Sequence, residues 1–186
     1  MLTAVLAIAL AALLAPMLAS RFDDRAGWLL ALAPLGAFVW FVSCIPAVAG
    51  GEVLVGSISW VAALDIEVAM RLDGLSLLFA LLITGIGALI VLYAGAYLSD
   101  HHHLGRFYLY LLLFMMAMLG LVLADDLIVM FVFWELTSVA SYLLIAFQHE
   151  RPVSRRAALQ ALLITGGGGL ALLAGLVLLG IAGEGW

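Results

Sequence analysis

A glutamate inside an apolar stretch is the residue of this sequence best placed to do chemistry. Glu135 falls near the middle of the apolar run 127–147, and Ser138 and Tyr142 follow it at i+3 and i+7 with Ser141 close by. A helix gathers these four into one polar stripe. Charged groups at mid-membrane are costly, face a bundle interior, and mark ion or proton paths. Burial disfavours the charged form of a carboxylate and a nearby cation restores it, so such a group can exchange protons near neutral pH. Glu135 is therefore a candidate proton carrier. The competing reading is a neutral acid that only hydrogen-bonds a neighbouring helix. Thr84 and Thr165 are further candidates for lining a hydrated path, although a threonine in a helix equally bonds its own backbone.

The remaining polar residues read as structural. Asp73 precedes an apolar run and is placed to cap a helix. Asp125 and Asp126 sit in a tight turn, where aspartate is favoured as a turn or cap residue. His101, His102 and His103 form a tract of adjacent side chains that converge poorly on one ion, and they read as a solvated loop that changes charge below neutral pH. The single Cys44 excludes an intrachain disulfide. There is no phosphate-binding glycine loop, no zinc spacing, no haem attachment motif and no nucleophile with a base, so no cofactor, metal or covalent catalysis is expected.

The elements that position Glu135 follow from composition. Of 186 residues, 67% are hydrophobic and 10% charged, and the mean hydropathy is +1.28, against the roughly half-apolar mix of soluble domains. The seven basic residues are all arginine and face twelve acidic ones, which gives no surface for nucleic acid. The lipid bilayer is the expected solvent. Apolar runs at 2–20, 27–48, 75–98, 107–123, 127–147 and 159–182 each approach the roughly 20 residues a spanning helix needs. The opening run has no basic residue ahead of it, so it reads as the first span rather than an export signal. The expectation is a single all-α integral membrane domain over 1–186 with six transmembrane helices.

Between the second and third spans, Ile66, Val68, Met70 and Leu72 alternate with Glu67, Ala69 and Arg71. That is strand rhythm, and it predicts a short β-hairpin within 50–73. The connections on one side of the membrane hold Arg21, Arg25, Arg106, Arg151, Arg155 and Arg156, and those on the hairpin side only Arg71. Basic loops stay cytoplasmic, so the N-terminus and the hairpin are expected outside. No Lys or Arg lies inside the six runs. A partner for Glu135 is therefore expected from further helices of a longer polypeptide or from other subunits.

Several motifs carry a family resemblance. They are Arg71-Leu-Asp-Gly-Leu-Ser-Leu-Leu-Phe79, Gly105-Arg-Phe-Tyr108, Leu123-Ala-Asp-Asp-Leu-Ile128, Phe133-Trp-Glu-Leu-Thr-Ser138 and Tyr142-Leu-Leu-Ile145. From the hairpin onward the sequence resembles the antiporter-like subunits shared by respiratory complex I and the Mrp-type sodium/proton antiporters. Within that group it looks most like the N-terminal part of the large A subunit of the Mrp antiporters. The Trp134-Glu135 pair is the most specific element. Trp134-Glu135-Leu136 and Thr165-Gly-Gly-Gly-Gly169 stand where the distal complex I subunit has Trp-Glu-Gly and a charged Thr-Arg-x-Gly-Asp stretch, which favours the Mrp type.

The resemblance implies that Glu135 belongs to a proton path and that its lysine partner lies on a later helix outside this chain. It implies a hetero-oligomeric complex that exchanges cytoplasmic Na+ for external H+ in a bacterial cell membrane. The chain is then the start of that large subunit or one product of a split one. Two other readings stand beside it: a membrane subunit of a redox-driven proton pump related to complex I, and a structural membrane module without a transport role.

Overall fold

The computed structural model describes residues 1–22, 25–61, 66–98 and 103–183. Among them run six helices and one two-stranded sheet: α1 (Leu2–Phe22), α2 (Ala26–Ala49), β1 (Leu54–Val61), β2 (Ile66–Leu72), α3 (Gly74–Tyr97), α4 (Leu104–Leu123), α5 (Leu127–Ile145) and α6 (Pro152–Gly183). All six helices are long and apolar enough to cross a membrane, and the chain is an all-α multi-pass membrane protein carrying a small β-hairpin between α2 and α3. Helices satisfy their own backbone groups in hydrocarbon, which is why runs of this length adopt them.

The local signals that start the helices are visible. Asp73 accepts hydrogen bonds from the amides of Leu75 and Ser76, and the Ser76 hydroxyl accepts one from the Asp73 amide, a reciprocal cap at the head of α3. Asp126 caps α5 one way only, accepting hydrogen bonds from the amides of Ile128 and Val129. Pro152 is the first residue of α6, where its fixed φ suits a helix and its missing N–H is not needed. As a result α6 starts at Pro152 rather than at 159, and it takes in Arg155 and Arg156. Hydropathy marks the part of a helix that lipid covers, not the part that projects beyond it.

Packing builds outward from α1–α4. α1 packs on α4 and α2, α2 on α3, α4 on α5, and α5 on α6. The buried set includes Ile8 and Ala12 of α1, Leu30 and Phe41 of α2, Ala80 and Val91 of α3, and Tyr108 and Leu119 of α4. Small residues are frequent in it because lipid gives apolar side chains no reason to leave it, and close backbone approach must supply the attraction. α6 is peripheral, with Ala158 and Leu176 buried and apolar side chains such as Leu163 and Leu170 exposed.

The hairpin is antiparallel, with Leu54 opposite Leu72, Gly56 opposite Met70 and Ile58 opposite Val68. Met70 and Leu72 point inward and are buried, and Arg71 points outward, as the two-residue period of a strand requires. β2 is also fastened to the α4–α5 turn, through a bridge between Met70 and Ala124 and a hydrogen bond from the Asp125 amide to the Ala69 carbonyl, 3.0 Å.

Candidate functional site

Two glycines set the position of α5. A Cβ on Gly120 of α4 would run into the ring of Phe133, so glycine there lets α5 lie close against α4. A Cβ on Gly169 of α6 would overlap the Oε1 atom of Glu135 and lie 3.0 Å from its Cδ. The Glu135 carboxyl group is therefore wedged between α5 and α6 on a bare patch of helix. The residue is half-buried, and Oε1 is buried with no hydrogen-bond partner among the described residues. Most buried polar atoms are paired, and each exception calls for a specific account.

Beside this contact lies a groove of about 520 Å3 between α4, α5 and α6, lined by Trp134, Thr137, Ser138 and Ser141 of α5 and by Thr165 and Gly168 of α6, with Phe114, Met118 and Leu121 on the α4 side. The Thr137 and Ser138 hydroxyls donate to the Trp134 carbonyl at 2.6 and 3.3 Å, and the Thr165 hydroxyl donates to the Ala161 carbonyl at 2.9 Å. With their protons committed to the backbone, these oxygens keep lone pairs for a donor in the groove.

Of the sequence candidates, the structure brings Ser138, Ser141 and Thr165 together here. Tyr142 is half-buried and outside the groove lining. Thr84 is fully buried in α3 and bonds the Ala80 carbonyl at 2.6 Å, away from the groove. Thr137 was missed by sequence reasoning. Its signal was its place at i+3 from Trp134 and four residues before Ser141, which puts it on the groove face.

On the hairpin side, a second cavity of about 350 Å3 is lined by Arg71, Asp73, Ser76, Trp134 and Leu121, among others. Arg71 reaches both Asp73, at 3.9 Å, and Asp125, at 3.7 Å. The three side chains are between a third and a half exposed, so each pair contributes less than about 1 kcal/mol. The amide and then the hydroxyl of Ser76 hold the Asp73 carboxyl below the usual carboxylate range. Its capping contribution is then complete above the unfolded value of about 3.9 and is lost as pH falls through the lower folded value. Asp73→Ala is expected to lower stability by about 1 kcal/mol, seen as a lower Tm of the purified complex that does not change between neutral and mildly acidic pH. Asp73→Asn is expected to lose less.

On the opposite side, His103 is exposed, with its ring 6.4 Å from that of His149 on the α5–α6 connection. His101 and His102 lie outside the described residues. Among the described residues no group of three or more His, Cys, Asp or Glu could hold a metal ion. Cys44 is buried in α2.

Six membrane-length helices, a strand pair fastened to the head of α5 and an acid inside that helix mark a multi-pass membrane protein with a polar site in its bundle. Two family models match the chain: complex I (NADH-ubiquinone oxidoreductase) chain 5 N-terminus over residues 58–108, and the transmembrane model of NADH:quinone oxidoreductase and Mrp antiporters over residues 124–184. The chain belongs to this family of antiporter-like membrane subunits. Within it, the chain is similar to the Na+/H+ antiporter A1 subunit of Staphylococcus haemolyticus, 46% identical over 174 residues, or 93% of this chain and 22% of that protein. It is likewise 46% identical over 172 residues to the A1 subunit of the Staphylococcus aureus antiporter, 91% of this chain and 21% of that protein. Its fold matches a chain of the Mrp complex from a Dietzia species with a TM-score of 0.85 at 36% identity, covering 98% of this chain and 20% of that chain. It also matches a chain of an archaeal membrane-bound sulfane sulfur reductase, a respiratory complex, with a TM-score of 0.74 at 22% identity, over 95% of this chain and 28% of that one. The chain spans about a fifth of the length of the staphylococcal relatives it matches.

Proposed function

We propose that the chain is the N-terminal portion of the large A subunit of a multisubunit Na+/H+ antiporter in a bacterial cell membrane, and that Glu135 carries protons within it. The observation that supports this most directly is the Glu135 carboxyl seated on Gly169, next to a groove whose hydroxyls donate to backbone carbonyls and so keep lone pairs for another donor. A group that titrates inside a membrane needs a donor route, and lone pairs facing a groove offer one to water. The likeness to the staphylococcal proteins supports sodium as the exchanged ion. Six of the seven arginines fall away from the hairpin, which supports an external N-terminus and hairpin.

The fold likeness to a respiratory complex keeps a redox-driven pump as the second reading. One experiment separates the two. In inverted vesicles that carry the complete complex and lack other antiporters, sodium added to an acidified lumen is expected to release protons, with no reductant present. No release is expected from vesicles whose complex lacks this chain. Proton movement that instead requires a reductant, with flavin or iron–sulfur absorbance co-purifying, would establish the redox reading.

A further inference from the structure

The two cavities share a wall. Trp134 and Leu121 line both the hairpin-side cavity and the hydroxyl groove. On one side of this pair stand Arg71, Asp73 and Ser76, charged and polar groups at the membrane surface. On the other stand Thr137, Ser138, Ser141 and Thr165. Glu135 stands beside the groove rather than in its lining: Ser138, one turn along its own helix, and Thr165, one turn before Gly169 on α6, both line it.

We propose that Trp134, facing Leu121 of α4, is the barrier between the hairpin-side cavity and the hydroxyl groove, so that displacing its indole admits water and the protons it carries to Glu135 from that face. An apolar constriction blocks passage by shedding water, and here it stands between two clusters of polar groups set in otherwise mostly apolar walls. The backbone of Trp134 is fixed in α5, but the residue is 42% exposed among the described residues, so the ring has room there to turn about its own side-chain bonds. Its carbonyl also accepts the Thr137 and Ser138 hydroxyl protons, so the residue that closes the groove also orients the oxygens behind it.

The proposal rests on the reading of Glu135 as a proton carrier only for its use. Access itself is measured without transport, so the two can fail separately. In the full-length protein within the assembled complex, with Cys44→Ala as background, Leu75→Cys reports on the hairpin-side cavity and Ser141→Cys on the groove. A membrane-impermeant cationic thiol reagent is applied from the hairpin face. Leu75→Cys is expected to react quickly in every background. Ser141→Cys is expected to react slowly beside Trp134, and about tenfold faster beside Trp134→Ala, the factor given by a barrier lowered by about 1.4 kcal/mol. Trp134→Phe is expected to restore slow reaction, and Trp134→Leu carries the comparison should the alanine variant fail to assemble. Equal rates at Ser141→Cys with and without the indole would overturn the proposal, and so would an unreactive Leu75→Cys.

Discussion

Glu135→Gln is expected to lower sodium-driven proton movement by about a hundredfold while leaving the complex assembled. The replacement keeps the shape of the side chain and most of its hydrogen bonding, and removes only titration. Positioned proton acceptors contribute factors of about 100 or more to the steps they serve, so exchange is expected to fall by about a hundredfold at matched expression. Glu135→Asp keeps the titrating group but withdraws it from α6, and is expected to retain part of the activity. Exchange at the native rate in Glu135→Gln would remove Glu135 from the proton path and leave it as a packing residue between two helices.

The second large effect concerns the glycine that faces it. Gly169→Ala places a methyl group where Oε1 now lies, and the far end of a glutamate side chain yields more readily than a helix backbone. The carboxyl is then expected to turn away from α6, with assembly kept and exchange reduced by about tenfold, the factor for a barrier raised by about 1.4 kcal/mol. Gly169→Leu is expected to part α5 from α6. At Gly166, Gly167 and Gly168 a Cβ meets nothing within 4 Å among the described residues, so alanine at Gly167 is expected to leave exchange unchanged. Combining Gly169→Ala with Glu135→Asp tests the contact directly. The shorter acid makes room for the methyl group, and the pair is expected to lose less together than independent sites would.

The parts of this arrangement that were legible in the sequence are those with a local signature. Six apolar runs and the alternation from Ile66 to Leu72 announced the helices and one strand. Glu135 stood out because a charge in an apolar run has few explanations. Asp73 and Asp126 stand directly before apolar runs, at the positions where they cap α3 and α5.

What was not legible depends on how helices face one another. A soluble helix shows its buried face as an apolar stripe, but helices in lipid are apolar all round, so periodicity does not say that Gly169 meets Glu135 or that Thr84 points into the core. Thr84 and Thr165 looked alike as lone hydroxyls in apolar runs. Only the packing of α3 into the centre and of α6 at the edge separates them. The run of four glycines stands in the sequence for anyone to see, yet which of its members touches a neighbour depends on the register between α5 and α6.

The early start of α6 also gives the bundle a ruler. Gly169 lies thirteen residues beyond Arg156 in one helix, about 20 Å at 1.5 Å per residue. Glu135, which it touches, lies nine residues beyond Asp126 at the head of α5, about 14 Å. The two rises together match a hydrocarbon core of about 30 Å plus part of its interfaces, and they place the carboxyl nearer the hairpin face than the arginine face. About 0.4 of the transmembrane voltage then falls between the hairpin face and Glu135, so bringing one proton to it from that side exchanges about 1 kcal/mol with every 100 mV. In the proposed role, loading this acid is therefore an electrical event as well as a chemical one.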